Sequence, residues 1–158
     1  MKRTRPGNVF FYLLCLTLTF QACQRGVVYQ DHHNLPSEGW EHQDGILFET
    51  NIDDTLSLHE LYLDVRNTTD YAYSNLFLFL EIAFPDGRML RDTIECVLAD
   101  KRGQWTGRGF GHVRANRFLF RDDVWFPQEG VYRFRLYHGM RHELLEGISD
   151  IGIRIEKK

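Results

Sequence analysis

The stretch NLFLFLEIAFPDGRMLRDTIECVL, residues 75–98, decides the fold. From Asn75 to Phe84 it is almost continuously apolar, as expected of a central strand covered on both faces. Pro85-Asp86-Gly87 then supplies a turn, because Pro presets φ at the first corner and Gly accepts a positive φ. The chain returns from Met89 to Leu98 with Leu90, Ile94 and Cys96 on one side and Arg91, Thr93 and Glu95 on the other. Two such runs joined by a tight turn form an antiparallel hairpin.

Working outward, the period of two persists. Ile46, Phe48, Thr50 and Ile52 alternate with Glu49 and Asn51, and Leu61, Leu63 and Val65 alternate with Tyr62, Asp64 and Arg66. Phe118 to Phe126 is a further strand, interrupted at Asp122 and Asp123. Tyr132, Phe134 and Leu136 alternate with Arg133 and Arg135, and Ile151, Ile153 and Ile155 with Gly152 and Arg154. About seven to eight strands spaced by turn chemistry predict an all-β, antiparallel β-sandwich, immunoglobulin-like or jelly-roll in topology. The domain is expected over residues 45–158. The one stretch of helical composition is Met140 to Glu146, and the Gly-rich segment Gly103 to Gly111 reads as a bulged crossing between sheets.

Length and charge agree with one folded domain. The chain has 158 residues, 43% of them hydrophobic and 26% charged, enough for a single core and far from the composition of disordered chains. Its beginning differs from the rest. Lys2, Arg3 and Arg5 precede an apolar run from Val9 to Phe20, then Gln21, Ala22 and Cys23. The run is too short to span a bilayer, which takes roughly 20 apolar residues, and has the layout of a secretory signal peptide. A small residue followed directly by Cys is the end of a lipoprotein signal. Residues 1–22 are therefore expected to be removed and Cys23 to carry the lipid, with 23–44 as a polar tether that joins the domain near Trp40. The removed segment takes three basic and no acidic residues, which leaves 16 basic against 22 acidic and a charge of −6 where the full chain has −3. Nucleic acid is disfavoured by that sign, since phosphate neutralisation by Lys and Arg dominates such binding.

Side chains that could carry chemistry are few. With Cys15 removed and Cys23 lipidated, Cys96 is the only thiol left, and its apolar neighbours make it a small buried hydrophobe. Gly107-Arg108-Gly109-Phe110-Gly111 lacks the following helix and the Lys-Ser or Lys-Thr pair of a phosphate loop. His138 and His142 have zinc-ligand spacing, but Gly139 and the preceding strand argue against a helix that would align them, so no metal is expected. Asp53-Asp54 and Asp122-Asp123 cannot act as facing glycosidase carboxylates if adjacent strand residues point to opposite faces. No Gly-x-Ser-x-Gly elbow occurs. No enzyme activity, cofactor or small-molecule substrate is expected. Aromatic residues, among them Trp40, Trp105, Trp125, Tyr71, Tyr73, Tyr132 and Tyr137, leave open a glycan-binding sandwich that stacks sugars on exposed rings. Trp105 and Arg108 in the Gly-rich loop, with Tyr71 and Arg141, are the candidate contact residues.

Several segments together resemble the gliding motility lipoproteins of the GldH type, from the Bacteroidota. They are Arg66-Asn67-Thr68-Thr69-Asp70-Tyr71, Asn75 to Phe79, Gly103-Gln104-Trp105-Thr106-Gly107-Arg108-Gly109, and above all the closing run Met140 to Lys157 (MRHELLEGISDIGIRIEK). The resemblance covers essentially the whole mature chain. It implies a membrane-anchored, non-enzymatic envelope lipoprotein associated with gliding, with no catalytic residues to transfer, acting through contacts with envelope proteins. The closing run is read as a final strand zipping the sheet, with Arg141 and Arg154 near Asp150. Gln24, Arg25 and Gly26 lack the acidic cluster of a surface-export signal, which favours an outer-membrane anchor facing the periplasm. Asp54-Thr55-Leu56 and Asp92-Thr93-Ile94 resemble the short acceptor for O-glycosylation in that phylum, which makes Thr55 and Thr93 candidate sites.

Overall fold

Alternation along the chain is converted into ten strands in a computed structural model, which describes residues 26–158. They are β1 (Val27–Asn34), β2 (Trp40–Glu41), β3 (Ile46–Ile52), β4 (Leu58–Thr68), β5 (Asn75–Ala83), β6 (Met89–Val97), β7 (Val113–Trp125), β8 (Gly130–His138), β9 (Leu144–Leu145) and β10 (Ile148–Lys157). Each run read as a strand in the sequence lies in one of them. The Pro85-Asp86-Gly87 hairpin pairs β5 with β6 from Asn75↔Val97 to Ala83↔Met89, and Gly87 takes the positive φ that the turn needs.

Two four-stranded sheets face each other, one in the order β1-β10-β4-β7 and the other β3-β8-β5-β6. Counting only the eight long strands, every hairpin partner is either adjacent in its sheet or across the sandwich. The first long strand pairs with the last, and the second with the seventh. That nesting is the jelly roll, which settles the alternative with the immunoglobulin-like order. The inward residues form one core: Leu76, Leu78 and Leu80 of β5, Phe134 and Leu136 of β8, Leu61, Leu63 and Val65 of β4, and Ile151, Ile153 and Ile155 of β10 are all buried. Cys96 lies in this core, and burial pushes its thiol up to about 12.

Three expectations change. Residues 23–44 are not a tether throughout, since Val27–Asn34 is a full edge strand paired with β10 from Val27↔Glu156 to Asn34↔Asp150, and Trp40 is buried and paired with Leu145. An edge strand covers the core with one face only, so its polar outer residues dilute the period. Met140 to Glu146 is not helical; Leu144–Leu145 forms β9 against β2, and Gly147 at φ +87 turns the chain into β10 under Tyr71. Asp122 and Asp123 do not interrupt β7, which runs past them to Trp125 with register shifts against β4. Asp123 has φ +53, and this bulge lets both carboxylates reach the Lys158 ammonium at 2.7 and 2.6 Å.

Because neighbours run antiparallel, connections gather at two ends. One end holds Gly26, Lys158 and the short connections 53–57, 84–88 and 126–129. The other holds the long connections 35–45, 69–74, 98–112 and 139–147, about 30 Å away along the strands.

Candidate functional site

Alternation sends Phe77, Phe79 and Glu81 of β5 outward, away from the core that Leu76, Leu78 and Leu80 fill. Phe77 is 36% exposed and Phe79 43%. The strand is therefore apolar on both faces but covered on only one, which corrects the expectation of double burial. Phe79 lies opposite Thr93 of β6 and Tyr137 of β8. Leu47 of β3 and Val97 of β6 extend the same apolar surface toward the two edges.

Glycines flatten this strip. A Cβ at Gly45 would stand 2.6 Å from the Tyr137 ring, and one at Gly139 would stand 3.1 Å from the tip of Phe79, so both rings lie against backbone where any side chain would prop them up. Gly139 N–H donates to the Phe77 carbonyl at 2.6 Å, and the Phe77 N–H donates to the Met140 sulfur at 3.4 Å. These two bonds carry the strip onto the closing-run loop, where Tyr73 and His142 pack with ring centroids 6.1 Å apart. Charges frame it: Arg91 donates to Glu81 at 2.8 Å and Arg133 pairs with Glu49. Arg135 and Arg141 have no acidic partner among the described residues. Rings held flat in advance reduce the ordering cost of any contact made on them.

The opposite face of the sandwich is polar. Asp64 of β4 is 7% exposed and Asp150 of β10 3%. Arg117 of β7 donates to both Asp64 oxygens at 2.7 and 2.8 Å. His32 of β1 places Nδ1 2.9 Å from Asp150 and Nε2 3.5 Å from Asp64, and Arg66 Nε lies 3.9 Å from Asp150. Gly152 makes room for this imidazole, since a Cβ there would stand 2.5 Å from Nδ1. The cluster ties all four strands of that sheet together, with its carboxylates already occupied. Asp150 is thus met by His32 and Arg66, whereas Arg154 turns to Gln30 and Glu156.

The residues singled out in the sequence are only partly brought together. Arg141 borders the strip. Tyr71 is 4% exposed, its hydroxyl donating to the Asn75 carbonyl at 2.9 Å, and is therefore a core residue and no contact. Trp105 is half-buried against the core, bridged to Ala99, and the fully exposed aromatic of that loop is Phe110. Arg108 is exposed, and its backbone pairs with Ala115 as the loop doubles back onto β7. Trp40 and Tyr132 are buried, which removes them as sugar platforms. His138 is buried beside Trp40 and His42, while His142 packs on Tyr73. Asp54 caps its turn, accepting from the Leu56 and Ser57 N–H groups at 2.9 and 3.0 Å. Thr55 is half-buried in that turn, and Thr93 is exposed on the strip opposite Phe79. Cys23 and the signal segment lie outside the described residues. Phe77, Phe79, Gly45 and Gly139 were not singled out, although the doubly apolar run at 75–84 was the available signal.

A family model described as GldH lipoprotein matches residues 27–155. A protein named "Gliding motility lipoprotein GldH homolog" from Christiangramia forsetii is 34% identical over 157 residues, covering 95% of each chain. "Gliding motility lipoprotein GldH" from Flavobacterium johnsoniae is 29% identical over 161 residues, covering 98% of this chain and 99% of its own. Among solved structures, the VP2 subviral particle of infectious bursal disease virus overlaps 82% of this chain and 30% of its own at 14% identity, with a TM-score of 0.36.

Proposed function

This chain belongs to the GldH lipoprotein family, and on that footing we propose that it works as a lipid-anchored, non-enzymatic contact subunit of a gliding-related envelope assembly. The anchor is Cys23, freed by removal of residues 1–22, in the outer membrane with the domain facing the periplasm. The observation that carries the contact role is the half-exposed strip of Phe77, Phe79 and Tyr137, held flat by Gly45 and Gly139. Its rim arginines, Arg135 and Arg141, call for a partner with acidic residues around an apolar centre.

Mild crosslinking and co-purification from native cells test this against a Phe79→Glu variant, whose outward position leaves the core intact. Recurrent envelope proteins captured by the parent and lost in the variant are expected. An unchanged set would remove the strip as the contact. Flat exposed rings also suit sugars, so glycan-array binding without any recurrent protein partner would replace the protein reading with the glycan one. For the anchor, Cys23→Ser should abolish palmitate labelling and release the protein from the membrane fraction; unchanged partitioning would refute it.

A further inference from the structure

The end of the sandwich that holds Gly26 carries a second exposed apolar group, separate from the strip. Leu56, at the tip of the β3–β4 connection, is 93% exposed, and Trp125, at the end of β7, is 58% exposed. They are neighbours: the Trp125 indole N–H donates to the Thr55 carbonyl at 2.5 Å. Leu58, also exposed, pairs with Trp125 across β4 and β7. The connection is rigid, because Asp54 accepts from the Leu56 and Ser57 backbone and from the Ser57 hydroxyl at 2.7 Å.

This group is fastened to the start of β1 and the end of β10. Lys157 Nζ reaches Asp54 at 2.5 Å, and the Lys157 N–H donates to the Gly26 carbonyl at 2.5 Å. The Lys158 N–H donates to the Leu58 carbonyl at 2.9 Å. Gly26 is three residues after Cys23, and three residues span at most about 10 Å even when fully extended. A lipid on Cys23 therefore brings this end of the domain to the headgroup layer, with no slack to hold it off. Lys157 and Lys158 are paired with Asp54, Asp122 and Asp123, two cations against three carboxylates, so no positive charge is left over to draw anionic lipid and the attraction rests on the apolar side chains.

We propose that Leu56 and Trp125 form a membrane-interface contact that seats the domain upright on zwitterionic lipid, with the long connections held about 30 Å away. The proposal rests on the lipidation of Cys23. The Trp125 ring suits this layer because its body is apolar while its N–H is already satisfied by the Thr55 carbonyl, and a protein of mature charge −6 gains nothing from anionic lipid.

The test uses the full-length protein, lipidated in its native host and reconstituted into phosphatidylcholine–phosphatidylethanolamine vesicles, with a nitroxide label placed by Leu56→Cys or, as a control at the far end, by Arg108→Cys. Flotation and intact mass report the anchor independently of label depth. The expected result is co-flotation, with oxygen accessibility relative to a water-soluble nickel complex several-fold higher at position 56 than at 108. Co-flotation with both labels equally aqueous overturns the interface contact and leaves the anchor standing. Failure to float, with no lipid mass on Cys23, overturns both.

Discussion

Replacing Gly152 by Ala tests how the edge strand β1 is held. Gly152 lies in β10 opposite His32, and its φ is not in the left-handed region, so the penalty is one of space alone. The added Cβ would meet His32 Nδ1 at 2.5 Å, His32 Cε1 at 2.7 Å and the Asp31 carbonyl oxygen at 2.8 Å. Ordinary contact is about 3.5–4.0 Å, so ring and strand must retreat by roughly 1 Å. Such overpacking costs about 1–3 kcal/mol. Losing the 2.9 Å bond from His32 to buried Asp150 adds about 1.5–3 kcal/mol, and a stiffer unfolded chain returns about 0.4–1 kcal/mol. The net expectation is about 3 kcal/mol, or roughly 11 °C in Tm for a domain of about 130 residues. Thermal and urea unfolding of Gly152→Ala, His32→Ala and the double variant measure it. If the ring is what the Cβ strikes, His32→Ala recovers about 1–2 kcal/mol of the loss in the double variant. Additive effects within about 0.5 kcal/mol would refute the steric account.

Other expectations follow from the same geometry. Cys96, buried and with its thiol pushed up to about 12, should resist maleimide at pH 8 in the native protein and react fully in denaturant; native labelling would show that the core opens there. His138 is held below its ordinary 6.5 by burial, then by His42. A lowered base lets the unfolded chain take the proton first, so stability is full above 6.5 and falls as pH drops below it. Unfolding between pH 7 and 5 should show that decline, flattened in His138→Leu; an equal slope in the variant would assign it elsewhere. Thr93 faces Phe79 across the β5–β6 pair, so a glycan there would cover the strip. Intact mass of native protein should show Thr93 bare, and a hexose-bearing peptide at that site would count against the contact surface.

Much of the fold was legible because its signal is local. Ile46 to Ile52, Leu61 to Val65 and Ile151 to Ile155 each alternate strictly, since one face meets the core while the other meets water along β3 and the polar cluster of His32, Asp64 and Asp150 along β4 and β10. Topology was less so, because the pairing of β1 with β10 joins residues more than a hundred positions apart and leaves no mark in a period of two. Tyr71, read as a contact aromatic, is instead a core residue whose hydroxyl is satisfied inside by the Asn75 carbonyl, and no local pattern separates a buried Tyr of that kind from an exposed one. The strip was visible as the run from Asn75 to Phe84, yet a strand covered on both faces and a strand with one apolar face left open read alike in sequence. Only the neighbours across β5 distinguish them.

The edge position of β1 has a mechanical consequence. On the proposal that Cys23 is the anchor, any pull on the domain away from the membrane enters at Gly26 and runs along β1. That strand is paired with β10 at seven positions from Val27 to Asn34, antiparallel and along its whole length. Load applied along the strand axis strains those rungs together, in shear, whereas load across the strand would open them one after another like a zipper. The contacts of His32 with Asp150 at 2.9 Å and with Asp64 at 3.5 Å lie across the same seam. The strand that ends the leash is thus also built as a clamp.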